Sequence, residues 1–173
     1  MTPKRTCWLA LTILVPLTTA GCLEGAAGVY AEIQYSDDEK KDTHELISIV
    51  QDKNLSGSPK ARALYALGGR FTDRAVARPV LFETLKSTND EEIRTSVFRS
   101  LRRLADPATV PALVDLLSDG NSDVRFGATL VLRTIGPRAR AAVPALQELA
   151  NKDESSVVRM VARLALEKIA PIP

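Results

Sequence analysis

Histidine, tryptophan and cysteine are nearly missing from this chain: its 173 residues include one histidine, His44, one tryptophan, Trp8, and two cysteines, Cys7 and Cys22. So few ligands argue against a zinc or two-metal centre built from cysteine and histidine. The sequence also offers no Ser-His-Asp set, no glycine-rich phosphate cradle and no metal-ligand spacing, so neither an enzyme nor a bound cofactor is expected. Aromatic residues are only 5%, and no run alternates apolar and polar residues as a half-buried strand would. Nor does any uncharged apolar run reach the roughly twenty residues that a membrane-spanning helix needs. The run near the start, Cys7 to Thr19, is shorter and carries Pro16.

That run has a particular setting. Lys4 and Arg5 precede it and Ala20-Gly21-Cys22 follow it, which is the layout of an export signal. The three closing residues resemble the lipobox of bacterial lipoproteins, in which the cysteine is acylated and becomes the first residue of the mature chain. The resemblance implies a signal peptide at residues 1–21 and lipidation of Cys22; the stretch that begins there, residues 22–36, has small and mixed residues with Gly25 and Gly28 and no helical period, and reads as a flexible tether. The resemblance further implies an exported protein held by lipid in the bacterial cell envelope. Because Leu23, not aspartate, follows the cysteine, the outer membrane is the expected site in a Gram-negative cell. Several acyl chains anchor stably where one is marginal. An ordinary secretory signal cut beside Ala20 or Gly21 is the alternative. Cys7 and Trp8 leave with the signal, and acylation of Cys22 would leave no thiol for a disulfide.

Without Lys4 and Arg5 the chain has 21 basic and 21 acidic residues, but they are unevenly placed. Residues 24–53 hold eight acids and three lysines, whereas residues 54–173 hold eighteen basic and thirteen acidic residues. An acidic stem therefore precedes a basic body. Within the stem, Asp37 and Asp38 are N-cap candidates for a capping helix at residues 37–57, with Leu46, Ile47, Ile49 and Val50 as its apolar stripe.

Beyond Pro59 the chain repeats. Pro79, Pro111 and Pro144 lie 32 and 33 residues apart, and each is followed by a leucine (Leu81, Leu113, Leu146) and then an acid (Glu83, Asp115, Glu148). Arg94, Arg125 and Arg159, spaced by 31 and 34, each follow a β-branched residue and precede Leu101, Leu132 and Leu166. Ile93, Val97, Leu101 and Leu104 share one helical face. Asp106-Pro107 and Gly136-Pro137 separate each such helix from a second one, near whose start Pro111 or Pro144 falls. A period of this length marks a stack of helical hairpins.

The run Asp123-Val124-Arg125, Ala128, Leu132, Ile135-Gly136, Val143-Pro144-Ala145-Leu146 resembles a HEAT repeat of the short kind associated with phycobilisome lyases. The resemblance implies an all-α fold, a short right-handed α-solenoid of about eight helices. Its units would be residues 58–89, 90–121 and 122–153, with a half repeat at 154–171. It also implies that Arg94, Arg125 and Arg159 form a structural ladder with acids of the inter-helix turns; Asp90, Asp123 and Glu154 are near in sequence. Unit one departs from the pattern, with Lys60 at the arginine position and Arg70 and Phe71 at a core site, as terminal repeats tend to.

The function expected of such a chain is to hold another protein, as a scaffold or adaptor of the cell envelope. The alternative is an enzyme or enzyme accessory related to the bilin lyases. HEAT-type deoxyhypusine hydroxylases bind iron through several His-Glu pairs; His44-Glu45 is the single pair here. No nucleic-acid partner is expected of an exported protein, despite its basic body. Arg99, Arg102, Arg103 and Arg133 lie on first helices and are candidates for contact with an acidic partner or lipid head groups, with plain solvation as the alternative. At matched positions of successive first helices, Glu92, Asp123 and Val157 form one series, Ser96, Gly127 and Val161 a second, and Arg99, Leu130 and Leu164 a third. The last helix is the apolar one, and Val157, Val161 and Leu164 are expected either to dock a partner or a second copy, or to be buried within the last unit.

Overall fold

The computed structural model describes residues 38–55 and 57–170. The expected signal peptide, Cys22, the tether, Asp37 and the Pro171-Ile172-Pro173 tail lie outside these residues. Eight α-helices and no strand occur among the described residues: α1 Thr43–Gln51, α2 Ser58–Leu67, α3 Arg74–Ser87, α4 Glu91–Leu104, α5 Val110–Asp115, α6 Ser122–Ile135, α7 Val143–Lys152 and α8 Ser156–Ile169.

Two layers result. α2 packs on α4, α4 on α6 and α6 on α8, so the first helices of successive units form one continuous row. The second helices α3, α5 and α7 each pack on neighbouring first helices, and α1 lies against α2 and α3 as a second helix preceding the first unit. Each hairpin alone would leave one apolar face in water. Stacking buries these faces into a single core that runs from Leu46 through Leu81, Leu101, Leu113, Leu132 and Leu146 to Ile169.

The same local chemistry starts α4, α6 and α8. Asp90 accepts from the amides of Glu92 and Ile93, Asn121 from that of Asp123, and Ser155 from that of Val158, which satisfies amides that have no partner inside the helix. The residue two before each cap closes a small turn of its own. Thr88 Oγ1 accepts from the Asp90 amide at 3.1 Å, Asp119 from Asn121 at 2.8 Å and Asp153 from Ser155 at 2.8 Å. The first helices end differently: α6 stops at Gly136, whose φ of 68° suits glycine, and α4 at Ala105 in the left-handed region with φ 41°. Short 3-10 segments, Pro107–Thr109 and Gly136–Ala142, then lead into Pro111 and Pro144 near the starts of α5 and α7. In α3 the equivalent Pro79 lies inside the helix instead.

Two sequence assignments are corrected here. The cap of α1 is Asp42, which accepts from the Glu45 amide at 2.8 Å; Asp38 is held elsewhere, pairing with Lys41 at 2.6 Å and Arg62 at 3.1 Å. Counting from the caps, the arginine position of unit one falls on Ala61, four after Gly57, and not on Lys60.

First helices approach closely where their side chains are small. A Cβ on Gly127 would stand 2.4 Å from Cδ2 of Phe98, and one on Gly68 would stand 2.5 Å from the Ser100 Cα. Gly127→Ala gains up to about 1 kcal/mol of helix propensity, but pushing the Phe98 ring aside costs about 1–3 kcal/mol. The overpacking should prevail, with a net loss of about 1–2 kcal/mol in a denaturant titration.

Candidate functional site

The arginine positions are built alike but are not used alike. Arg125 lies in the joint between α6 and α8 with its side chain only 8% exposed. Its Nε donates to Asp153 Oδ2 at 2.7 Å and its Nη2 to Oδ1 at 3.0 Å, a two-pronged pair with a carboxylate that is itself 3% exposed. Nη2 also reaches Glu154 at 3.2 Å, and Nη1 donates to the carbonyls of Asp119 and Gly120 at 2.8 and 3.2 Å. The guanidinium holds the Asp153 carboxyl below its ordinary range, and Asp153 raises Arg125 further. This is a clamp between the turns that precede α6 and α8.

Arg159 makes the carbonyl half of the clamp, donating from Nη1 to Asp153 and Glu154 at 2.6 and 3.1 Å. Arg94 makes neither half: among the described residues no carboxylate lies within 4.0 Å of it. Asp123 is no rung. It is exposed in the first turn of α6, and the acid that Arg125 grips lies 28 residues further on. The Glu154 carboxylate does join the ladder, toward Arg125, whereas Arg159 meets only the Glu154 carbonyl.

Arg94 borders two recesses. One, of about 380 Å³, lies between α3 and α5, with Phe82 and Leu85 facing Ala112 and Leu116, and Asp115 and Asp119 at its rim. The other, of about 320 Å³, runs between α4 and α6 on the outer face of the first helices. Arg94, Arg99 and Arg102 give this groove a cationic wall, Phe98, Phe126 and Leu130 an apolar floor, and Glu91 and Asp123 an acidic end. Such a groove has the chemistry to take an apolar side chain flanked by an acid.

Of the residues singled out in the sequence, Arg99 and Arg102 line this groove, while Arg133 is exposed on α6. Arg103 has a structural task. Its guanidinium lies 4.5 Å above the Tyr65 ring, donates to the Tyr65 carbonyl at 3.2 Å and stands 3.8 Å from Glu39, tying α4 to α2. Among the last-helix residues, Val157 is 50% and Leu164 37% exposed, but Val161 is 6% exposed and belongs to the packed interior. Met160, 54% exposed, is a further apolar residue of this helix, and the series one after each arginine, Thr95, Phe126, Met160, carries its signal in the sequence. Glu83 and Glu148 are solvated, paired only with Lys86 and Lys152 of their own helices. His44 is exposed, and no cluster of metal-binding side chains occurs among the described residues. No helix among them is long and apolar enough to cross a membrane.

Capped first helices in one row, second helices in another and an arginine clamp between units define an α-solenoid. A family model for HEAT repeats matches residues 44–133 and again 78–167, and the chain belongs to that family. Its fold is similar to that in the complex of CpcE and CpcF of phycocyanin lyase from Nostoc sp. PCC7120. The TM-score is 0.62 at 22% identity, over 99% of this chain and 71% of that one. No curated protein matches the sequence.

Proposed function

We propose that this chain is a protein-binding scaffold of the bacterial cell envelope, held to its membrane by acylated Cys22, and that it grips its partner along the outer face of the first helices. The observation that carries the binding site is the groove between α4 and α6, where three arginines border an apolar floor of half-buried Phe126 and Leu130 beside buried Phe98. Row-forming helices keep such a surface rigid, so little order has to be created on binding. The anchor rests on Lys4, Arg5, the apolar run and Ala20-Gly21-Cys22.

Affinity capture from detergent-solubilised membranes tests the groove. A specific protein should be recovered with the native chain and at least about tenfold less of it with Arg99→Glu or Leu130→Asp, since charge reversal and loss of an apolar contact each weaken an interface by about 1–3 kcal/mol. Equal recovery with both variants would contradict the site. Intact mass with and without inhibition of lipoprotein signal peptidase tests the anchor: a chain starting at Cys22 and bearing acyl chains is expected only without the inhibitor.

Likeness to a phycocyanin lyase complex favours one second reading, an enzyme accessory handling a bilin-type chromophore. Visible absorbance co-purifying with the native protein would support it, and a colourless preparation that also leaves added bilin unbound would count against it.

A further inference from the structure

The side of α8 that faces no described helix carries the positions with which α4 lines its side of the groove against α6. Counted from Asp90, α4 lines its groove with its first, fourth, fifth, eighth, ninth and twelfth residues: Glu91, Arg94, Thr95, Phe98, Arg99 and Arg102. Along α8 a shallow depression is lined by Ser156, Arg159, Met160, Arg163, Leu164 and Glu167, the same six positions counted from Ser155. This edge therefore matches the α4 half of the groove that α6 completes, and no helix lies on it among the described residues.

We propose that a second copy of this chain covers the edge, α8 against α8, running antiparallel about a twofold axis. The opposite end of the stack speaks for this closure. There α1 lies against α2 and α3, Leu46 and Val50 are buried, and Ala63, at the position by which Gly127 receives its neighbour, is fully buried. Head-to-tail growth needs two complementary open ends, and one end of this stack is covered. The open end then meets its like only in the self-complementary way of a twofold dimer.

Charge order along the edge sets the direction. Arg159 stands toward the start of α8 and Glu167 toward its end, with Met160 and Leu164 between them. Antiparallel pairing brings each Arg159 toward the partner's Glu167 and lays Met160 on the partner's Leu164, whereas parallel pairing sets like charge against like. Glu167 makes no ion pair among the described residues, so it is available. Arg163, nearest the axis, has its guanidinium turned toward α7, where it donates to the Ala150 carbonyl at 3.4 Å. Three of the five large apolar side chains exposed among the described residues, Val157, Met160 and Leu164, lie on this one helix.

A single helix edge buries less than the roughly 800 Å² per partner of a standard interface, so a dissociation constant of about 10–100 μM is expected. Sedimentation of the full chain in mild detergent, over about 1 to 500 μM to bracket that constant, reads it directly. Dimer should accumulate with concentration, weaken at least about tenfold in Glu167→Arg and vanish in Leu164→Asp. Far-ultraviolet circular dichroism should be unchanged in both. The exposed Glu167 gives a variant that leaves packing untouched, which keeps the test decisive even if Leu164→Asp loosens α8. A monomer throughout the range, or a dimer indifferent to Glu167→Arg and Leu164→Asp, overturns the proposal. Either result leaves the groove between α4 and α6 as a binding site unaffected.

Discussion

Asp153→Ala should lower stability by about 3–5 kcal/mol, because it strips the acid from a buried guanidinium that cannot shed its charge. The neighbouring Glu154→Ala should cost no more than about 1 kcal/mol, since that carboxylate is 80% exposed and merely adds to the clamp. The contrast separates the two acids that Arg125 touches. In a stack held by nearest-neighbour contacts the loss is local. Thermal melts of Asp153→Ala should therefore show α7 and α8 opening first, read as early loss of amide protection in residues 143–169. Acid should act in the same place. The Asp153 carboxyl is depressed in the folded chain by its bond to Arg125, so its contribution is complete above the ordinary aspartate value of about 4. That contribution is lost as pH falls from there through the folded value. Arg125, raised further by the same pair, stays charged throughout. Native protein should thus lose stability on acidification below about pH 4 more steeply than Asp153→Ala does.

Val161→Asp should be about as damaging, and Leu164→Asp nearly harmless to the fold. Val161 is 6% exposed, and a carboxylate there has no partner, so the change should cost about 3 kcal/mol or more. At Leu164, 37% exposed, the same substitution should cost about 1 kcal/mol or less. Chemical denaturation of the two variants side by side reads the difference. If both unfold alike, α8 is packed differently from the arrangement described, and its exposed edge ceases to be a docking surface.

The two residues also mark how far the sequence carries. Val157, Val161 and Leu164 share a face by helical arithmetic, and the sequence places them together. Which strip of that face is covered depends on where α6 lies, and a neighbour's position is not written in α8 itself. The recurrences were legible because each unit solves one problem in one way. Leu81, Leu113 and Leu146 are all buried, as are Leu101 and Leu132. Ladder partners were legible only in kind. Asp123 is two residues from Arg125 in sequence, yet the first turn of a helix points it to solvent, while Asp153 arrives through the next hairpin. The cap of α1 is ambiguous in the sequence for a similar reason: three aspartates lie within six residues, and Asp38 is claimed by Lys41 and Arg62. The groove between α4 and α6 needed the structure, since its floor depends on Phe98 lying over Gly127. Of its arginines, Arg99 and Arg102 were legible as contact candidates and Arg94 as a ladder residue, but not the groove that unites them.

Protein capture by the outer face of the first helices is the central claim, and site-specific photo-crosslinking in native cells tests it most directly. A photoreactive side chain at Thr95, Arg99 or Leu130 should yield the same discrete protein adduct, while one at Glu83 or Glu148 on the second helices should yield none. Adducts confined to the second-helix positions, or absent from all five, would contradict the account.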